Sequence, residues 1–467
     1  MHRLPPCAGR QSVQDCVSHA RGQLLAGHFK CRKSGQRRTS CTVASSAIAQ
    51  CAAAGAAAAA VGGAVIGCAT WRAALMKADI RTEGQFNLSV LSRCSALLSE
   101  CRRFFLCFNG HAETIWGAWL RRHPRLALRR EILRLDDGGV VSLDWQRHTP
   151  QDVPTDAPIV ILVAGLAGGS EGTYVQYAMQ TAGSMGMRSV VFNCRGTAGG
   201  PVTTPQFYSA SYTMDLRAVV AYLQKTQPGV PLLAMGWSLG ANILLNYLGE
   251  EGQQSPIKAA VSLVNPFNLV ISDKALKIGV ARLYDRNLGL AMRKLFQPHV
   301  ALFRGHAEEH RIQAALNAQT VRDFDDAITR VSFGWPSVDA YYRASGSCNK
   351  ISGIQVPFLC LQALDDPIAV KEAIPYDQLK ANTNCTLVLT PTGGHLGWVQ
   401  ATAPFGAPWS DVAAVEWLVS VLQELEDRDT ARCNDGGGRR DTTEGATGNG
   451  AEPARDDQFE AFQSTAR

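Results

Sequence analysis

Gly236-Trp237-Ser238-Leu239-Gly240 is the stretch of this chain whose residue types and spacing speak most directly of chemistry. A serine acts as a nucleophile at the top of a sheet when a sharp strand-to-helix turn thrusts its hydroxyl outward. Such a turn admits only small residues two positions to either side. The apolar run 231–235 before the pentapeptide reads as a strand, and the run 241–248 after it reads as a helix. The same spacing recurs at Gly168-Gly169-Ser170-Glu171-Gly172, so the pattern alone does not decide. Context does: several strand–helix units precede Ser238, whereas only the 132–145 segment and one further strand precede Ser170. Ser238 is the expected nucleophile and Ser170 part of a loop.

A serine nucleophile needs a base, a carboxylate to orient that base, and donors for the oxyanion. The loop Gly165-Leu166-Ala167-Gly168-Gly169 follows the first candidate parallel strand at 158–165 and offers the backbone N–H of Leu166. The second donor is the N–H of Leu239, next to the nucleophile; losing a donor of this kind lowers the rate by about 10²- to 10³-fold. The base belongs after the last strand. Of the four histidines that follow Ser238, His299, His306 and His310 fall in a helical insert, and His395 follows the strand at 386–391 in Thr392-Gly393-Gly394-His395. The acid belongs after the preceding strand, 357–364, where Asp365-Asp366-Pro367-Ile368 stands. Asp366 is expected to hold the imidazole, because a fold with this order of parts usually places the acid two residues before an apolar one and Ile368 satisfies that spacing; Asp365 is the alternative.

The elements that must position these residues are legible as an alternation. From about residue 129 to 425, short apolar runs at 132–145, 158–165, 189–193, 231–237, 259–265, 357–364 and 386–391 alternate with helical patterns, as a mostly parallel sheet flanked by helices requires. Several runs are continuously apolar, the mark of strands covered on both faces. The roughly 90 residues between the strands at 259–265 and 357–364 are too many for a connection and read as a helical cap insert, about 270–350. Residues 76–128 read as a helical N-terminal extension, 1–75 as a targeting or membrane-anchor segment, and 426–467 as a disordered tail.

The matching stretches are Asp137-Gly138-Gly139 through Leu143-Asp144-Trp145, the Gly165–Ser170 loop, the run from Phe192 to Leu216, the serine pentapeptide with its helix, Val264-Asn265-Pro266, and the Asp365-Asp366 and Gly393-Gly394-His395 loops. On these, residues 129–425 resemble the α/β-hydrolase branch of the plant embryogenesis-associated hydrolases, animal medium-chain phospholipases and yeast medium-chain alcohol acyltransferases. The resemblance implies an α/β-hydrolase fold and a triad on Ser238, Asp366 and His395. One departure is Ala164, where the branch often has histidine. Asn193, Arg195, Gly196, Tyr208, Tyr212 and Asp215 also resemble residues of the branch, and are expected to brace the floor of the site, with direct contact to substrate as the alternative.

Composition narrows the field. The net charge of +6 is concentrated in the first 38 residues, so the catalytic region offers no nucleic-acid surface. The 14 cysteines contain no CxxC pair, and neither a P-loop, nor H-E-x-x-H, nor G-x-G-x-x-G after a strand occurs. No cofactor or metal is expected. The reading is a carboxylesterase- or lipase-type serine hydrolase acting on short- to medium-chain, lipid-like acyl esters. Acyl transfer to an alcohol with the same triad is the alternative, and a non-catalytic ligand-binding module the more distant one. Residues 47–69 carry no charge, long enough to span a bilayer, yet they are mostly Ala and Gly and follow an Arg- and Ser-rich stretch. Membrane association through a single N-terminal anchor, or import into a plastid or mitochondrion, is expected of this segment.

Overall fold

The structure, a computed structural model, describes residues 75–148 and 153–436. Nine strands form one sheet: β1 (Asp79–Thr82), β2 (Leu128–Arg134), β3 (Val140–Gln146), β4 (Ile159–Val163), β5 (Arg188–Asn193), β6 (Leu232–Trp237), β7 (Ile257–Leu263), β8 (Phe358–Ala363) and β9 (Cys385–Thr390). Their order is β1-β9-β8-β7-β6-β4-β5-β3-β2. The six from β9 to β5 are parallel, and β1, β3 and β2 are added antiparallel at the edges. The segment read as one strand over 132–145 is a hairpin of β2 and β3, which turns at Gly138 with φ 80°.

The continuous apolar runs follow from burial on both faces. In β4, Val160 and Leu162 enter one core cluster while Ile159, Ile161 and Val163 enter another on the opposite side. The first cluster packs against α3 (Thr173–Ser184) and α9 (Trp409–Gly436), and the second against α4 (Met214–Thr226) and α5 (Leu239–Glu251). Each such aliphatic side chain contributes about 1.5–3 kcal/mol on full burial.

Two expectations change. The extension is not wholly helical: besides α1 (Gln85–Ser92) and α2 (Gly110–Ile115), it supplies β1, which pairs with the edge of β9. A four-residue edge strand has too few residues to show periodicity, and its pairing partner lies about 300 positions away. The tail does not begin at 426 either, because α9 runs to Gly436. Leu418 and Val421 pack into the core, and Asp427 pairs with Arg93 at 2.8 Å, which carries the helix past its apolar face. The cap contains α6 (Leu269–Leu276), α7 (Ala281–Phe296), a further helix at Glu309–Leu316, several short turns and α8 (Val338–Ser345). Among the described residues no helix is long and apolar enough to cross a membrane. The expected anchor or targeting segment lies outside the described residues, as does the tail beyond Gly436.

Candidate active site

Ser238 stands where β6 hands over to α5, at φ 51° and ψ −120°. A non-glycine residue enters that region at a cost on the order of 1–3 kcal/mol, so the surroundings must impose it. Its N–H donates to the Leu263 carbonyl at 2.9 Å, and its own carbonyl accepts from Asn242 at 3.1 Å. The flanking glycines are there for space. A β-carbon on Gly240 would run into the carbonyls of Val163 and Ala164, and one on Gly236 would lie 2.8 Å from the Gly240 carbonyl oxygen.

The loop after β4 lies against this serine: a β-carbon on Gly165 would sit 3.3 Å from Ser238 Cβ. Two tyrosines hold the loop. The Gly165 N–H donates to the Tyr174 hydroxyl at 3.0 Å and the Ala167 N–H to the Tyr208 hydroxyl at 2.7 Å. Between them, the N–H of Leu166 has no acceptor among the described residues, and neither has that of Leu239. Both residues line the cavity onto which Ser238 opens. Ser170 is absent from that lining. It is buried, its N–H donates to Asn193 Oδ1 at 2.9 Å, and its hydroxyl donates to Asp144, which Arg130 and the Asn193 amide also hold. Arg195 is likewise buried, forked onto Asp215 at 2.7 and 2.6 Å and paired with Asp137 at 2.7 Å. These residues tie the loops after β4 and β5 to β3 and α4, and none of them lines the cavity.

His395 lines the same cavity, and its Nδ1 lies 2.8 Å from Asp366 Oδ2. The other oxygen of Asp366 accepts the N–H groups of Ile368 and Ala369 at 2.7 and 2.9 Å, which fixes the carboxylate. Asp365 turns elsewhere: its Oδ1 accepts the Gly394 N–H at 2.9 Å, and burial together with the charge of Asp366 raises its pKa.

The histidine loop is held by residues that sequence reasoning missed. Gly393, Gly394, Leu396 and Trp398 all have positive φ, and Gly110, Glu113, Thr114 and Arg121 clamp the loop from outside. The His395 N–H donates to Thr114 Oγ1 at 2.8 Å, and the Thr114 hydroxyl donates to the Gly110 carbonyl at 2.6 Å. Arg121 donates to the carbonyls of Leu396 and Gly397. The Val399 N–H donates to Glu113 Oε2 at 3.3 Å. Glu113 is buried; desolvation first, and then the nearby Asp365, push its carboxyl up to about 8, so it is largely protonated at neutral pH. The one available signal was Asn109, which caps α2, and Glu113 in the first turn. Those residues announce a helix start without saying what the helix touches.

The cavity, about 340 Å³, is lined chiefly by apolar cap residues, among them Leu276, Leu288, Met292, Leu295, Phe296 and Phe324. Two buried acids, Asp285 and Asp325, also line it; Asp325 accepts from the Tyr342 hydroxyl at 2.8 Å and is pushed up to about 6 by burial. Among the described residues no group of three His, Cys, Asp or Glu side chains is placed to hold a metal ion.

Comparison with known proteins agrees with this architecture. The family model for the alpha/beta hydrolase fold matches residues 158–401. The chain is 46% identical over 344 residues to the embryogenesis-associated protein EMB8 of Picea glauca, covering 72% of this chain and 75% of that protein. It is 32% identical over 321 residues to the phospholipase ABHD3 of Mus musculus, covering 68% and 77%. It is 31% identical over 268 residues to the medium-chain fatty acid ethyl ester synthase/esterase 2 of Saccharomyces cerevisiae, covering 52% and 58%.

Proposed function

The chain belongs to the α/β-hydrolase family, and from that premise we propose that it cleaves carboxylic, lipid-like acyl esters through an acyl-enzyme on Ser238. The observation that carries this reading is the convergence of Ser238, His395, Leu166 and Leu239 on one apolar cavity, with Asp366 fixed behind the imidazole. His395, oriented through Nδ1, presents Nε2 as the base that takes the Ser238 proton as Oγ attacks the ester carbonyl. The carbonyl oxygen gains negative charge and is met by the N–H groups of Leu166 and Leu239, donors with no competing acceptor among the described residues. Collapse of the tetrahedral intermediate breaks the ester C–O bond, and the imidazolium returns its proton to the departing alcohol. A water then repeats the sequence on the acyl-enzyme, releasing the acid and Ser238.

The apolar cap favours an acyl chain over a sugar or peptide, and the animal relative is a phospholipase by name, which supports lipid substrates; the medium-chain fatty acid in the yeast relative's name supports the short to medium chain length of our reading. The yeast relative is named as a synthase as well as an esterase, which favours, as a second reading, transfer of the acyl group to an alcohol by the same triad. Fluorophosphonate labelling followed by a panel of esters of graded chain length, with and without added alcohol, tests both. Labelling at Ser238 and release of free acid are expected. A new ester as main product would favour transfer, and labelling that persists in Ser238→Ala would overturn the assignment.

Membrane association or organelle import through the N-terminal segment is part of the same proposal, resting on the uncharged run 47–69 and the basic stretch before it. A carbonate wash of membranes from cells expressing the full chain, with N-terminal sequencing, separates an intact anchored product from a shortened soluble one.

A further inference from the structure

Helix α7 has two apolar sides. Ala281, Asp285, Gly289, Met292 and Phe296 recur at helical spacing on its buried side, and Asp285, Leu288, Ala291, Met292 and Leu295 line the catalytic cavity. The outer side should be polar if it only faced water. Instead Leu283 is 59% exposed and Leu290 42%, and just before the helix Val280 is 54% exposed. Across from them the extension presents Trp119, 71% exposed, and Ile115. These five side chains line one groove of about 520 Å³ between extension and cap. The two walls are tied together where His111 Nδ1 meets the Tyr284 hydroxyl at 3.0 Å with the rings stacked.

The charge of the groove is one-sided. Arg286 and Arg293 line it, no acidic residue does, and neither arginine forms an ion pair among the described residues. An apolar floor with a tryptophan near its rim and unpaired guanidinium groups matches a phospholipid surface, where acyl chains lie beneath a layer of phosphates.

We propose that this groove is the face by which the catalytic domain docks on a phospholipid surface, with Trp119, Ile115, Val280, Leu283 and Leu290 entering the acyl boundary and Arg286 and Arg293 meeting lipid phosphates. The proposal rests on the reading of the substrate as a lipid ester. It gives that reading a route, since the helix that touches the lipid is the one whose other side walls the cavity, and a substrate leaving the bilayer crosses only the thickness of that helix or its end.

The test uses the full chain and vesicles of phosphatidylcholine with phosphatidylglycerol. Amide hydrogen exchange is followed in peptides covering residues 111–120 and 278–293, with and without vesicles. Slower exchange in both segments on vesicle addition is expected, and its loss in a Trp119→Ser, Leu283→Ser double variant. That variant should also bind vesicles about a hundredfold more weakly, the effect of withdrawing two well-buried apolar side chains. Its melting temperature and its hydrolysis of a dissolved short-chain ester should match the wild type. Co-flotation with unchanged exchange in these segments would place the attachment elsewhere and overturn the proposal, as would absence of flotation. Slowing that appears without vesicles and grows with protein concentration would assign the groove to a second copy. Failure of the wild type to hydrolyse any ester would sink the functional reading, while the exchange result would still decide the docking face.

Discussion

The serine turn and the histidine loop face one cavity, but they are held in place by different parts of the chain. Ser238 is positioned from within its own neighbourhood: β6, α5 and the adjoining strand β7 supply its hydrogen bonds, and two glycines two residues away supply the room. His395 sits on a loop with four positive φ values, held by Thr114, Glu113 and Arg121 from a segment that precedes the matched family region. The Thr114–His395 bond joins positions 281 apart. The difference teaches that the segment before the hydrolase core forms part of the site's scaffold, and that a motif-sized view of the site would capture the nucleophile and leave its base unsupported.

Substitutions at the reacting positions test the comparison most severely. Ser238→Ala and His395→Ala should each lower ester hydrolysis by about 10⁴-fold or more, with circular dichroism unchanged. Ser170→Ala should retain activity within about tenfold, since that serine's role is a buried hydrogen bond worth about 1–3 kcal/mol to stability. A loss at Ser170 equal to that at Ser238 would mean the wrong turn carries the nucleophile.

The two adjacent aspartates sharpen it next. Asp366→Asn should cost up to about 10⁴-fold in kcat, because an amide can hold the wrong tautomer of the imidazole. Asp365→Asn keeps an oxygen for the Gly394 N–H and should cost far less. Comparable losses would dissolve the distinction that the geometry draws.

Thr114→Val then asks whether the extension matters to the base. It leaves the His395 N–H without its acceptor, a loss of about 1–3 kcal/mol, and kcat should fall about tenfold with KM little changed, while Thr114→Ser restores it. An unaltered kcat would show that the core alone positions the loop.

The smallest effect is on stability against pH. The carboxyl of Glu113 is raised in the fold to about 8 from an ordinary 4.5, so between those values the folded chain holds a proton that the unfolded chain has released. Stability from this group is therefore full below the unfolded value and is lost as pH rises through the folded one. Asp411, raised to about 8 by burial against the pull of Arg121, acts with the same sign. Melting temperature should fall between about pH 5 and about pH 8, and Glu113→Gln, which stays neutral, should flatten part of that slope. A slope identical in the variant would remove Glu113 from the account.

How much of this was legible in the chain differs from element to element. The serine turn, the loop carrying Leu166 and the order nucleophile, acid, base are local patterns, because a tight turn or a strand end constrains residues within a few positions of itself. The parallel strands were legible because both of their faces are buried, which leaves runs such as 159–163 without a polar residue. Between Asp365 and Asp366 the spacing to Ile368 offered only a preference; the tertiary structure separates them, since one carboxylate faces the imidazole and the other the Gly394 amide. The edge strand Asp79–Thr82, the continuation of the last helix to Gly436, the Thr114 clamp and the groove between Trp119 and Leu283 were decided by tertiary structure alone. Their physical cause is contact between residues far apart in the chain, and a single hydrogen bond or packing contact across such a separation imposes no periodicity on the residues around it.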